Sequence, residues 1–424
     1  MEKWSKLDST ANLFPAVTTA HNSSVFRVAA LLRDPVEPGA LQQAADIIRR
    51  RFSPLFARMR TGVFWNYFEE NDEPFSIQPE QEPPCANIYP VQNRGYFLRV
   101  LYGGHRVSVE VFHALTDGSG AIELLKSLLY EYCSLRYGPL PSAEGILTGE
   151  TLPAPYWEDS FLKYFSHSKT GMTSSLHPAP NAFRLRGTPL PASGNRVLCG
   201  VLSAHALQQA AKSRDATITA YLSAVMAAAI ARAFPDSSSK PRPVVITVPV
   251  NLRRRFPSCT LRNFFGVVNI TCPFAEANDP ENSVKKLNCQ LAEGTSLESL
   301  QQLSAENLAL TRSPVSRSVP LLLKDLFVPL GFHMMGESKK TITISNLGKV
   351  SLPKELEAFL LHLECVLYPT AKSPLNCGVV SVGDRLTISF SQTIQETDVP
   401  REFFRLLAGE MDVSVYDNDW GKTT

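Results

Sequence analysis

Six consecutive residues, His113-Ala114-Leu115-Thr116-Asp117-Gly118, supply a proton-transfer group and a turn able to hold it, and no other HxxxD occurs in the chain. A histidine near its working pKa can take a proton from a hydroxyl or an amine as that group attacks an acyl carbonyl. The aspartate four residues on need not touch a substrate; it can anchor the turn by pairing with an arginine. Three plainer readings fit the same residues. A lone histidine at a strand end is commonly structural. An aspartate before glycine at a helix start is commonly an N-cap. His and Asp four apart can hold a metal on a helix, but Gly118 and Gly120 oppose a helix there and no third ligand lies nearby. The chain has no GxSxG elbow, no GxxxxGK[ST] loop and no GxGxxG after a strand, so neither a covalent nucleophile nor a phosphate loop is evident.

The elements that must position His113 flank it directly. Residues 97–102 and 106–113 are apolar, β-branched runs separated by Gly103-Gly104, a hairpin signal. Val107, Val109, Val111 and His113 alternate with Ser108, Glu110 and Phe112, so the valines and His113 share one face. After the break at 114–120, Ile122, Leu125, Leu128, Leu129 and Tyr132 recur at helical spacing. His113 is thus predicted to end a strand, with Asp117-Gly118 in the turn before a helix.

At 424 residues the chain is too long for one ordinary core. We expect an N-terminal domain over 1–175, a linker over 176–194 and a C-terminal domain over 195–424, because prolines, Ser, Gly and Thr punctuate the stretch from 137 to 194. Strands are predicted at 25–33, 196–202, 244–250, 264–273 and 341–345, and a hairpin at 379–382 and 386–394. Helices are predicted at 39–52, 204–213, 217–234, 282–311 (broken at Gly294) and 400–413. The pattern is α+β, mixed α/β rather than strict βα alternation. A hydrophobic share of 44%, a charged share of 19% and a net charge of +2 describe a globular chain with no nucleic-acid footprint. Eight cysteines without close paired spacing, no basic-then-apolar leader and no apolar helix of the roughly 20 residues needed to span a bilayer predict a cytoplasmic protein with reduced thiols and no transmembrane segment.

The stretch VEVFHALTDGSGAIELLKSL resembles the active-site motif of the acyltransferase superfamily of chloramphenicol acetyltransferase, peptide-synthetase condensation domains and alcohol acetyltransferases. PVNLRRRF, NFFGVVNITCPF and ITISNLG are similar to segments of that fold's second domain, and KLDSTANLFPAV with VFRVAALL looks closest to the alcohol acetyltransferase branch. The resemblance implies two similar domains in a V-shaped pseudo-dimer with an active-site tunnel between them. It implies His113 as general base and Asp117 as a structural residue ordering the turn with Gly118 and Arg253. Ser345 and Asn346 become candidates for polarising the carbonyl or lining the tunnel, since a developing oxyanion needs preorganised donors. No metal and no permanently bound cofactor are expected. Acyl-CoA would be the co-substrate and a small-molecule alcohol or amine the acceptor, with direct transfer in a ternary complex. Condensation domains usually carry two adjacent histidines; Phe112 stands at the first position here. A condensation-type enzyme fed by a carrier-protein thioester and a non-catalytic scaffold of the same fold are the alternatives.

Overall fold

The valine-bearing strand of the hairpin is the centre of the first sheet. In the computed structural model, which describes residues 4–166, 181–191, 195–235, 242–312, 318–321, 337–370 and 372–417, strand Arg106–Phe112 pairs antiparallel with Leu98–Gly103 on one side and Val25–Leu32 on the other. Val107, Val109 and Val111 are fully buried against helices Pro38–Arg51 and Gly118–Tyr137. Glu37 caps the first of these helices by accepting from the Gly39 and Ala40 backbone N–H groups. The hairpin turns at Gly104-His105 rather than Gly103-Gly104: Gly103 pairs with Arg106, and Gly104 takes the left-handed φ of +53° that glycine adopts without strain.

A seven-stranded sheet organises the second half, in the order Phe265–Cys272, Val244–Asn251, Ile342–Val350, Leu375–Val382, Arg385–Gln392, Arg196–Ser203, Val413–Asp417. Helix Ile218–Ala233 lies against it with every residue from Ala220 to Ala231 buried. Its alanines let helices Pro280–Gly294 and Asp398–Ala408 approach closely. Helix Asp398–Ala408 inserts Phe403, Phe404 and Leu407 into this core. At Gly200 a Cβ would stand 2.2 Å from the Phe404 ring, so only glycine fits beneath it.

Beyond the hairpin turn, two sequence expectations change and two features were not anticipated. The predicted helix 400–413 stops at Ala408; the alternating residues beyond Gly409 form the edge strand Val413–Asp417 on Arg196–Ser203. The predicted strand 341–345 does not end at Asn346-Leu347-Gly348. It runs from Ile342 to Val350 through a register shift between Asn346 and Lys349, with Gly348 at φ +78°. Strand Leu360–Val366 was not anticipated and belongs to the first sheet, antiparallel to Val25–Leu32, although its sequence neighbours on both sides belong to the second. The face of Arg106–Phe112 opposite the valines is buried too. Of the expected linker, 176–180 and 192–194 lie outside the described residues. Residues 181–191 run beside the second sheet, with Pro189 bridged to Ile394. Among the described residues no helix is long and apolar enough to cross a membrane.

Candidate active site

His113 follows the last residue of strand Arg106–Phe112, and its backbone N–H donates to Ser24 O at 2.8 Å, extending the pairing by one residue. Its ring stacks on Phe14 (centroids 4.3 Å apart, planes at 10°) and is flanked by Phe26, Phe265 and Tyr368. Burial among these rings lowers the imidazole pKa from 6.5, opposed by the Asp117 charge and a hydrogen bond with Asn263. The ring is therefore neutral at pH 7, the state a base requires.

Which imidazole nitrogen keeps its lone pair follows from Asn263. Its Nδ2 donates to His113 O (3.0 Å) and to Asp8 Oδ2 (3.1 Å). A backbone carbonyl can only accept, so the amide group faces it and Oδ1 faces the imidazole. Asn263 Oδ1 stands 3.1 Å from His113 Nδ1. Nδ1 must therefore carry the proton, leaving Nε2 with its lone pair. Asp8 in turn accepts from the Thr10 and Ala11 backbone N–H groups and from Asn263 N. Desolvation raises its pKa from 3.8 to about 6, because the one arginine beside it, Arg262, is 3.8 Å away and Asp159 opposes ionisation.

Asp117 points away from the imidazole partners and into the turn. As N-cap of Gly118–Tyr137 its Oδ1 accepts from Ser119 N and Gly120 N, both at 3.1 Å. Its Oδ2 accepts from Phe264 N at 2.8 Å and from Arg253 Nη1 at 2.7 Å. Arg253 is fixed by donating Nε to Thr260 O and Nη2 to Arg262 O. Thr116 Oγ1 donates to Leu261 O, and a Cβ on Gly120 would fall 2.1 Å from Thr116 Oγ1 and 2.4 Å from Leu261 O. The turn 113–118 and the loop 251–264 of the second half are thus locked against each other. Gly118 opens the helix at the cavity wall, where a Cβ would meet Leu347 Cδ2 at 2.6 Å.

A cavity of about 1600 Å³ lies between the two halves, above the 300–1,000 Å³ of an ordinary ligand pocket. His113, Asp117, Gly118, Ser345 and Asn346 all line it; Arg253 does not, and acts on it through Asp117. Asn346 is committed on both sides of its amide, donating to Thr219 Oγ1 and accepting from Gly348 N. The sequence reading did not find Ser119, whose Oγ accepts from Asn251 Nδ2 at 2.9 Å, leaving its own hydrogen for a further acceptor in the cavity. Asp8 and Asn263 were missed as well; both stand inside the segments quoted for the resemblance, KLDSTANLFPAV and NFFGVVNITCPF, but neither has a spacing to His113 that sequence can express.

Residues 195–391 match the family model described as phthiocerol/phthiodiolone dimycocerosyl transferase C-terminus. No curated protein resembles the chain closely enough in sequence to count as a match. Solved structures do resemble it over nearly all of its length. Polyketide synthase associated protein 5 from Mycobacterium tuberculosis is 14% identical, with 95% of this chain and 96% of that one covered and a TM-score of 0.62. TRI101 of F. sporotrichioides, solved with coenzyme A and T-2, is 12% identical over 97% and 99% of the two chains, with a TM-score of 0.63. The starter condensation domain of rhizomide synthetase RzmA, a mutant solved with C8-CoA and Leu-SNAC, is 13% identical over 97% and 95%, with a TM-score of 0.55.

Proposed function

We propose that this chain, whose fold resembles that of chloramphenicol acetyltransferase-like and condensation-domain acyltransferases, moves an acyl group, acetyl being the simplest candidate, from acyl-CoA to an alcohol or amine. The observation that carries the reading is the imidazole of His113, neutral, with Nε2 unpaired among the described residues, on the wall of a cavity that both halves line. Nε2 takes the proton of the acceptor as its oxygen or nitrogen attacks the thioester carbonyl. The imidazolium then returns that proton to the departing thiolate. Transfer is direct, because among the described residues no activated nucleophile is present for a covalent intermediate. The hydroxyls of Ser119 and Ser345 are the donors placed to receive the oxyanion. Asp117 and Arg253 hold the turn and take no proton. The structures resembling this chain support the donor class, since two of them contain coenzyme A or an acyl-CoA. Acyl-CoAs of several lengths, each with pooled alcohols and amines, should release free thiol at a rate above hydrolysis. Absence of release with every acyl-CoA, together with acyl transfer from a carrier-protein thioester, would move the assignment to the condensation-type alternative.

A further inference from the structure

Asp8 is a fully buried carboxylate that the proton transfer itself does not use, and donors reach it from two directions. Oδ1 accepts from the backbone N–H groups of Thr10 (3.0 Å) and Ala11 (2.8 Å). Oδ2 accepts from Asn263 Nδ2 (3.1 Å) and Asn263 N (3.3 Å). Every one of these partners is a donor, which suits a carboxylate, acceptor-only when ionised, and not the amide of the same shape. The segment around Asp8 is also pinned without it: Ser9 donates twice to Asp159, and Arg262 Nη2 donates to Lys6 O. The carboxylate is thus surplus to holding this stretch of chain in place.

The amide of Asn263 lies between this carboxylate and the imidazole. Its Nδ2 faces two acceptors, Asp8 Oδ2 and His113 O, while its Oδ1 faces His113 Nδ1 at 3.1 Å. Half a turn of the amide would put its oxygen against both acceptors and its NH2 against Nδ1. Nδ1 would then accept, the proton would sit on Nε2, and Nε2 would lose the lone pair that takes the acceptor's proton. A lone backbone carbonyl opposes that rotation weakly. A carboxylate opposes it strongly, because a hydrogen bond to an ionised acceptor is about twice as strong as one between neutral groups. Asp8 is ionised above pH 6, where desolvation has moved its pKa.

Resting on the reading of His113 as general base, we infer that Asp8 is a positioning residue for that base: its carboxylate fixes the Asn263 amide, and the amide fixes the imidazole proton on Nδ1. The variant Asp8→Asn separates this role from packing. It keeps the shape, and its oxygen can still serve Thr10 N and Ala11 N. The turn that carries Phe14 onto the imidazole ring is therefore kept. Its NH2, however, meets the donors of Asn263 Nδ2 and N, and the clash with Nδ2 is relieved when the Asn263 amide rotates. The substitution thus favours the tautomer in which Nε2 carries the proton.

The test compares the full chain with Asp8→Asn, both carrying nitrogen-labelled histidine, at a pH where the imidazole is neutral and Asp8 ionised. The His113 signals are those that His113→Ala lacks. In the parent, Nδ1 should show the shift of an N–H nitrogen and Nε2 that of a bare one; in Asp8→Asn the two should mix or exchange. With acyl-CoA and an acceptor that the parent acylates, kcat should fall by at least about tenfold while KM for acyl-CoA holds. The corresponding change costs about 10⁴ where the carboxylate touches the histidine directly, and here an amide stands between. Added to Asn263→Ala, Asp8→Asn should cost less than about twofold more, since its route to the ring is already gone. Should Asp8→Asn fail to fold, Asp8→Ala takes its place, with a mixture of tautomers expected. Parental shifts in the variant, a full tenfold loss on top of Asn263→Ala, or a parent with its proton on Nε2 would each overturn the inference and leave the acyltransferase reading standing. The expected shift changes in a chain that releases thiol from no acyl-CoA would overturn that reading and leave the link from Asp8 to the tautomer intact.

Discussion

Glu110 and Glu364, in the first sheet, and Asp8, beside His113, are all carboxylates with no exposed surface, yet the fold treats them in opposite ways. Glu110 receives Arg27 through Nε and Nη2 (2.9 and 2.7 Å), Arg99 Nη2 (2.5 Å) and the Cys85 N–H (2.6 Å). Glu364 forms an ion pair with Arg106 (Nε to Oε2 3.2 Å) and accepts a hydrogen bond from Tyr416 Oη at 2.7 Å. Burial raises the pKa of each, but Arg27 and Arg99 at Glu110, and Arg106 with His362 and Tyr416 at Glu364, more than reverse it: Glu110 lies below its usual range and Glu364 is held at about 2. Asp8 has backbone and amide donors with one distant arginine, and desolvation wins at about 6. The lesson is that a buried carboxylate touched by arginine is a permanent structural charge, whereas one touched mainly by neutral donors stays able to titrate. The second kind sits one amide away from the imidazole.

Breaking the clamp at Asp117 should have the largest effect, because this residue joins both kinds of role. Asp117→Ala strands Arg253 in a largely buried site and uncaps the helix, so it should cost about 3–5 kcal/mol by urea denaturation. Acyl transfer should fall with it. Equal unfolding midpoints for parent and variant would refute the structural assignment. Glu110→Ala leaves Arg27 and Arg99 short of a partner and should lose a comparable 3–5 kcal/mol. Its folded fraction, however, should keep the parent kcat. His113→Ala is the reverse case: unchanged unfolding, with kcat down by about 10²–10⁴-fold. In the parent, kcat/KM should rise with pH through an apparent pKa below 6.5, since the base must be neutral.

The pH dependence of stability sharpens the contrast. Glu364 has a depressed folded pKa, so its contribution, about 3 kcal/mol, is present above pH 4.5 and lost as pH falls toward 2. Asp8 has a raised one. Between pH 4 and 6 the native state holds the extra proton there, so this group makes stability fall as pH rises, also by about 3 kcal/mol. The stability of Asp8→Asn relative to the parent should therefore improve between pH 4 and 7, while that of Glu364→Gln relative to the parent should improve only below pH 4.5. Parallel curves for parent and Asp8→Asn would show that Asp8 titrates normally. The smallest effect is expected for Asn263→Ala, up to about tenfold in kcat, the worth of one hydrogen bond. Nitrogen chemical shifts of His113 should then report a mixture of tautomers in place of the Nδ1–H form.

What the sequence could convey depended on distance along the chain. The strand end, the turn at Asp117-Gly118 and the helix after it are local, and the hydrophobic period carried them. The pairing of Asp117 with Arg253 was also expected, and the two stand 2.7 Å apart. Asp8 and Asn263 reach His113 from 105 and 150 residues away, and an isolated Asp or Asn has no pattern to distinguish it. The surroundings of Glu110 were not legible for another reason. Alternation with valine separates two faces of a strand but says nothing of what covers the second one. Here Cys85, Val197, Cys199 and Val366 close over that side, contributed by three separated segments. Strand Leu360–Val366 carries His362 and Glu364 among its apolar residues, which masks its strand pattern in the sequence; Arg106 and Tyr416 partner them in the fold.

That strand also sets a schedule for the newly made chain. Val25–Leu32 and Arg106–Phe112 emerge from the ribosome early, but the strand that completes their sheet on the far side of Val25–Leu32 is synthesised some hundreds of residues later. At 5–20 residues per second the wait is on the order of tens of seconds. Throughout it, an edge of paired-strand geometry lacks its neighbour, and Arg106 lacks Glu364. The first half cannot finish as an autonomous unit during translation. Its last step is coupled to synthesis of the second half, and overexpression should expose that open edge to aggregation before the chain is complete.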